Sequence, residues 1–338
     1  MQTLGYTAVP VLLKYLSHAQ TLGLDCSAAR QAAGLSAECL ADNGQRVPSE
    51  QHERLLEHLL RQSADPLFGL HAARHVQPGS WSVLGYITMN CATLGEAMAR
   101  ILPYERLVGD MGTSHIEQQD GQVRLSWPCR HPHQPVRRHL IENVLASWLH
   151  YGRWIAGVEH SPSCVQFEHA LPAGCRVEDY ERVFGCPVLF EQAHSALLAP
   201  LEYLGLPLRQ ADAGLLRALE AHALGLLDRL EDDQPLPLRV RAALREMLSD
   251  GLPRKERVAA RFHMTLRTLQ RHLQAAGTSY QAILDQLRRE LAEHYLRHSE
   301  LPIQDIACYL GFSEPRSFHR SFKQWTGQTP GEYRQRQR

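Results

Sequence analysis

The stretch from Ser279 to His298 constrains this chain more than any other. Its apolar residues, Tyr280, Ile283, Leu284, Leu287, Leu291 and Tyr295, recur in steps of three and four, which places them on one stripe of a single helix. Arg288, Arg289, Glu290 and Glu293 are expected on the opposite face. A helix of about 20 residues is roughly 30 Å long, so what it joins decides what the region can do.

A copy of one pattern lies on each side of it. Before it, Val258-Ala259-Ala260-Arg261-Phe262 leads into Met264-Thr265, then Leu266, Leu269 and Leu273, then Gly277. After it, Ile306-Ala307-Cys308-Tyr309-Leu310 leads into Phe312-Ser313, then Phe318, Phe322 and Trp325, then Gly327. This is an internal repeat, and each copy reads as a helix, a tight turn and a second helix. Thr265 and Ser313 are expected as N-caps of the second helices, Pro315 fits a first turn, and small Ala259 and Ala307 allow a close helix crossing.

The exposed faces carry the chemistry. Opposite the leucines of the first unit stand Arg267, Gln270, Arg271 and Gln274; opposite the aromatics of the second stand Arg316, His319, Arg320 and Lys323. Both sets step i, i+3, i+4, i+7 and so form one polar, cationic face each. Arginine can bond guanine O6 and N7 bidentately and glutamine can do the same to adenine, while remaining cations and helix N-termini suit phosphate. Either face alone has an ordinary solvated surface as its alternative. Two copies held about one duplex turn apart, close to the ~34 Å groove repeat, favour double-stranded DNA.

Residues from about 236 to 335 resemble the DNA-binding domain of the AraC/XylS family of bacterial transcription regulators. The family signature Gly-x-(Ser/Thr)-Pro-x-x-(Tyr/Phe)-Arg is matched by Gly327-Gln328-Thr329-Pro330-Gly331-Glu332-Tyr333-Arg334. The resemblance implies that Arg267, Gln270 and Arg271 read bases in the first unit and that Arg316, His319 and Arg320 do so in the second. The units are expected at about 254–276 and 302–326, with the connecting helix at 279–298.

The net charge of zero conceals an asymmetry. From residue 236 onward there are 18 Lys+Arg and 10 Asp+Glu, a net of +8, and the 36 of each in the whole chain leave −8 for the preceding part. A basic domain thus follows an acidic one. The beginning, Met1-Gln2-Thr3-Leu4-Gly5, lacks a cationic leader, and no apolar run reaches the ~18 residues needed to span a membrane; a cytoplasmic protein without membrane contact is expected. Eight dispersed cysteines without a Cys-x-x-Cys pair suggest free thiols in a reducing compartment.

The first 230 residues mix the two periods. Helices are expected from Val11, from Asp25 to Ala33, and from Ser49 to about Asp65, where Leu55, Leu56, Leu59 and Leu60 share a face. Thr93-Leu94-Gly95-Glu96 is a capping-box sequence. Strands His115–Gln118 and Val123–Trp127 are expected around an Asp120-Gly121 turn. A helix from Val136 to Gly157 follows, then a βαβ-like unit of Cys164–Glu168, Val177–Phe184 and Val188–Phe190. The Pro- and Leu-rich run Leu198-Ala199-Pro200-Leu201 reads as the chain leaving this domain, before a helix at 211–230 and an acidic linker at 231–235. The expected class is therefore α+β: a mixed α/β N-terminal domain (1–230), then an all-α domain (236–338) with two helix-turn-helix units joined by a long helix.

Phe68-Gly69-Leu70, Leu84-Gly85-Tyr86, Thr93-Leu94-Gly95-Glu96-Ala97 and Phe184-Gly185-Cys186-Pro187-Val188 resemble the arabinose-binding-like effector domain of a large AraC-family subgroup, over about 20–210. The resemblance implies a small-molecule effector, a homodimer and RNA polymerase as a partner, without naming the compound. Trp81, Tyr86, Tyr104, Tyr151, Arg153 and Trp154 are candidates for the effector pocket, because small-molecule sites favour aromatic walls with few polar groups; core packing is the competing role. Cys129, His131 and His133 alternate as three soft ligands, but Pro132 and Pro135 make the segment irregular and no fourth ligand is evident, so neither metal nor cofactor is expected. No nucleophile elbow, phosphate loop, dinucleotide fingerprint or zinc-protease helix is present, which argues against an enzyme.

The reading that results is an effector-controlled, sequence-specific DNA-binding regulator. A constitutive DNA binder whose N-terminal domain only dimerises is the alternative. A DNA alkylation-repair enzyme with an AraC-like module would need clustered zinc-binding cysteines and a reactive acceptor thiol, which the dispersed cysteines do not supply.

Overall fold

The computed structural model describes residues 4–233, 236–248, 254–299, 301–312 and 314–337. Contacts divide the chain into two compact units, Met1–Leu227 and Asp228–Arg338. Among the described residues no helix is long and apolar enough to cross a membrane.

The first unit opens with a short antiparallel pair absent from the sequence expectation, β1 (Tyr6–Ala8) against β2 (Arg46–Pro48). Around it stand α1 (Val9–Thr21), α2 (Cys26–Ala33), α3 (Ala37–Ala41) and α4 (Ser49–Gln62). Asp25 Oδ1 accepts from the amides of Ser27 and Ala28 at 2.9 and 3.0 Å, which starts α2. Leu55, Leu56 and Leu59 of α4 are fully buried with Leu12 and Tyr15 of α1, the leucine face read from the 3.6-residue period.

Short helices follow: α5 (Phe68–Ala72), α6 (Ser82–Met89), α7 (Leu94–Ala99) and α8 (Ile101–Tyr104). Thr93 Oγ1 caps α7 through the Glu96 amide at 3.2 Å, while the Glu96 carboxylate reaches past it to the Ala92 amide at 2.8 Å. Gly85 has a packing reason: a Cβ there would lie 1.9 Å from the Pro78 carbonyl oxygen. Gly85→Ala is expected to destabilise by about 2–3 kcal/mol, at the strained end of overpacking. Gly225→Ala, in an exposed helix interior with open space around it, should gain about 1 kcal/mol; urea unfolding of the two variants checks the contrast.

A five-stranded sheet completes this unit, with β3 (His115–Gln119), β4 (Gln122–Ser126), β5 (Cys164–Gln166), β6 (Val188–Leu189) and β7 (Ala196–Pro200) in the order β3-β4-β7-β5-β6. Neighbours are antiparallel except β5 and β6, which run parallel. Two helices belong with it, α9 (Val136–Ala156) and α10 (Val177–Phe184), which connects β5 to β6; α11 (Ala213–Asp233) follows in the chain and spans the division between the two units.

Two expectations need correction. The run Leu198-Ala199-Pro200 does not leave the domain; it belongs to β7, which lies between β4 and β5. Its unbroken apolar sequence suits a strand whose residues are buried or half-buried throughout, and Pro200, lacking an N–H, is tolerated because it ends the strand. The helix expected at 211–230 runs further, because Glu231-Asp232-Asp233, the start of the expected linker, forms the last turn of α11; Gln234 and Pro235 lie outside the described residues.

The second unit is all helix: α12 (Leu236–Leu248), α13 (Lys255–Arg261), α14 (Leu266–Ala275), α15 (Tyr280–His298), α16 (Ile303–Tyr309), α17 (Pro315–Thr326) and α18 (Pro330–Gln337). Its long helix serves two cores. Ile283, Leu284 and Leu287 pack with Val240, Leu244, Val258, Leu269 and Leu273. Ala292 and Leu296 pack with Ile306, Leu310, Phe318 and Phe322, and Leu291 touches both sets.

The repeat extends to individual backbone hydrogen bonds. In the first copy Met264 N donates to Ala259 O at 2.9 Å; in the second Phe312 N donates to Ala307 O at 3.0 Å. His263 (φ 52°) and Gly311 (φ 68°) hold the equivalent left-handed turn position, which strains a non-glycine residue by about 1–2 kcal/mol. Thr265 caps α14 through the Thr268 amide at 3.2 Å. The expected cap Ser313 lies outside the described residues; the N-cap of α17 is Glu314, followed by Pro315, with no side-chain cap bond.

Candidate nucleic-acid interface and ligand cavity

Helices α14 and α17 each bury one side and expose the other. Leu269 and Leu273 are 1% and 0% exposed, and Phe318 and Phe322 are both 0% exposed. Arg267, Gln270, Arg271 and Gln274 are exposed on α14, as are Arg316, His319, Arg320 and Lys323 on α17. The ion pairs of this unit involve other arginines: Arg241 with Glu290, Arg261 with Glu246, and Arg289 and Arg297 with Glu293. Among the described residues, Arg267, Arg271, Arg316 and Arg320 are in no ion pair, so their guanidinium groups are available to an outside partner.

Arg288 corrects the expected face of α15. It is buried at 7% exposure, its Nε and Nη2 donate to the carbonyls of Leu310 and Gly311 at 2.8 Å each, and its guanidinium lies 4.3 Å from the Phe312 ring centre. It is next to Leu287 on the border of the apolar stripe, and its length carries the charge into the turn between α16 and α17. The unpaired carbonyls at the end of α16 are thereby satisfied, at a desolvation cost that lowers the pKa of the guanidinium.

The signature at 327–334 is also structural. Thr329 and Glu332 cap α18 reciprocally, Thr329 N to Glu332 Oε2 at 2.8 Å and Glu332 N to Thr329 Oγ1 at 3.3 Å. Tyr333 meets Phe322 edge-on at 5.4 Å, and Arg334 donates to Leu301 O at 2.7 Å. These contacts support the second unit from behind rather than touching its exposed face.

The first unit contains a cavity of about 250 Å³, walled by helices α1, α4, α6, α7 and α9 and the β4–β7 side of the sheet. Trp81, Tyr151 and Arg153 line it, whereas Tyr86, Tyr104 and Trp154 do not. Tyr86 and Trp154 are roughly half exposed and Tyr104 is buried. Tyr151 already donates its hydroxyl to Gly85 O. Arg153 is held by His160 O, Ser161 Oγ and Phe184 O at 2.9–3.1 Å.

The sequence reading missed Lys14 and His52 on this wall. Lys14 is 4% exposed and donates to Ser147 Oγ at 3.0 Å. Burial pushes its ammonium down to about 7. His52 is 2% exposed with neither ring nitrogen hydrogen-bonded; burial, then Lys14 and His131, hold it down at about 3. The available signal was a lone cation within Val11-Leu12-Leu13-Lys14-Tyr15-Leu16. Cys129 and His131 are buried, and His131 Nε2 lies 3.1 Å from Glu53 Oε1. Among the described residues no group of three His, Cys, Asp or Glu side chains is arranged to hold a metal.

A pair of helix-turn-helix units that follows, along the chain, a separate domain with a cavity defines a DNA-binding regulator with room for a ligand. Comparison with known proteins agrees. Residues 23–208 match the family described as the arabinose-binding domain of AraC transcription regulators, N-terminal, and residues 258–336 match a helix-turn-helix domain. The ornithine utilization regulator of Pseudomonas aeruginosa is 30% identical over 99% of both chains. The regulator VirS of Mycobacterium tuberculosis is 28% identical over 83% of this chain and 82% of its own. The crystal structure of the regulator CdpR from Pseudomonas aeruginosa covers 92% of this chain and 96% of its own at 23% identity, with a TM-score of 0.45. The chain belongs to the AraC family of transcription regulators, with an N-terminal ligand-binding domain and a C-terminal helix-turn-helix DNA-binding domain.

Proposed function

We propose that this regulator reads its operator with both helix-turn-helix units, α14 entering one major groove and α17 the next. Arg267, Gln270, Arg271 and Gln274 contact bases and flanking phosphates in the first groove, and Arg316, His319, Arg320 and Lys323 do so in the second. The observation that carries this reading is the exposure of both faces with their four arginines in no ion pair among the described residues, while neighbouring arginines are paired. The 19 residues of α15 span roughly 28 Å, a spacing compatible with adjacent grooves on one side of the duplex.

The first 230 residues act as the sensing and dimerising part, and 236–338 as the DNA-binding part. A small molecule in the cavity alters transcription by binding the DNA-competent and incompetent arrangements with different affinities. The regulator works beside the chromosome in the cytoplasm and acts on RNA polymerase. The similarity to the ornithine utilization regulator of Pseudomonas aeruginosa is compatible with control of genes for the use of a small metabolite.

Mapping the bound sites in the source bacterium, followed by methylation-protection footprinting with the purified full-length chain, tests the two-groove reading. Each chain should protect guanines in two major-groove segments about 10 base pairs apart. Protection of one segment only, at saturating protein, overturns it.

A further inference from the structure

The cavity in the first unit combines an apolar wall with one buried cation that has no anion. Val11, Leu84, Met98, Ile101, Val144 and Leu149 are among the apolar side chains that line it. Polar groups on the wall are largely occupied within the protein. Thr7 Oγ1 meets Ser49 Oγ at 3.1 Å, Thr88 bonds the Leu84 and Gly85 carbonyls, and Asn143 Nδ2 donates to Gly69 O at 2.8 Å. Glu105 accepts from the Ser114 amide at 2.8 Å, and burial raises its pKa.

Lys14 and His52 are different. The Lys14 ammonium has three N–H groups and uses one, on Ser147. No carboxylate lies within ion-pair distance of it among the described residues. The two ring nitrogens of His52 have no partner at all, although its side chain is almost fully enclosed. Buried cations are ordinarily paired, and buried polar atoms ordinarily bonded. Unused donors on two neighbouring side chains of one cavity thus indicate that the missing partner arrives with the ligand.

We infer that Lys14 and His52 form the anion-binding end of the cavity, and that the effector is a small monocarboxylate with an apolar body. This rests on the ligand-sensing reading of the cavity given above. One ammonium balances one negative charge, which suits a carboxylate better than a doubly charged phosphate ester. A diamine or a basic amino acid would bring an ammonium towards Lys14, which repels it; the carboxylate on the wall, Glu105, already accepts from the Ser114 amide. A sugar would leave most of its hydroxyls against hydrocarbon. In proportion to the ~150 Å³ cavity that accepts benzene, the volume suits a ligand of roughly ten non-hydrogen atoms.

Calorimetric titration of the full-length protein with octanoate and 4-phenylbutyrate tests this, with octanol, octylamine and ornithine as comparison probes. The carboxylates should bind at least tenfold more tightly than any of the comparison probes. Lys14→Met keeps the length of the side chain and removes a buried charge, so it should melt no lower than the parent and lose octanoate affinity at least tenfold. His52→Leu should weaken octanoate severalfold, which gives a second reading if the first variant folds poorly. Equal octanoate affinity in the parent and in either folded variant overturns the inference. Binding of octanol, octylamine or ornithine without the carboxylates also overturns it and leaves the sensing role of the cavity standing. Failure of every probe to bind removes both.

Discussion

Replacing Arg271 and Arg320 together by alanine is expected to weaken specific operator binding by roughly thirty- to twenty-thousand-fold, since each bidentate arginine–base contact discriminates by ~1–3 kcal/mol. Both side chains are exposed, one on each second helix, and neither is in an ion pair among the described residues. Truncation therefore orphans no buried group, and folding stability should change by less than about 0.5 kcal/mol. The two residues belong to different units with separate cores, so their effects should add approximately. Anisotropy titrations at fixed salt, with the operator and with single-base variants, check it. Relaxed selectivity at one base position per arginine is the expected pattern. A uniform loss across all sequences, with the salt slope reduced by about one per residue removed, would instead reassign them to phosphate.

Arg288→Ala should lower the stability of the second helix-turn-helix unit by about 2–4 kcal/mol. Each hydrogen bond from a charged donor is worth ~1.5–3 kcal/mol, and the arginine–ring contact adds ~1 kcal/mol; relief from desolvation offsets part of the sum. The variant leaves the Leu310 and Gly311 carbonyls without the donor they have now. Because the first unit rests on its own residues of α15, amide exchange should accelerate in α16 and α17 and stay nearly unchanged in α14. Operator affinity should fall by at least a hundredfold on the proposed two-groove mode, because two tethered contacts reinforce one another only when both are held in place. Arg288→Lys should recover part of the loss at most, since an ammonium cannot span two carbonyls as the planar fork does. Equal exchange rates in α17 of parent and Arg288→Ala would refute the role given to this residue.

The DNA-binding half was legible in the sequence because its information is local. Helix periods, the Thr265 cap and the turn inside each repeat are each set within a few residues, and short-range sterics and amphipathicity express them directly. The N-terminal domain was legible in outline only. Strand ends shifted by one or two residues, and β7 reads as an exit because its residues are all buried or half-buried and its apolar run shows no alternation.

What the linear order of residues determined is the class of the protein, its twin probes and the exposed faces that carry their arginines. What the tertiary structure alone decided is which charged groups lost water: Arg288 in the turn of the second unit, and Lys14 beside Ser147, 133 positions away. Burial is a property of distant segments brought together, and no window of sequence contains both sides of such a contact. That is why the buried cation on the cavity wall emerged only from the folded chain.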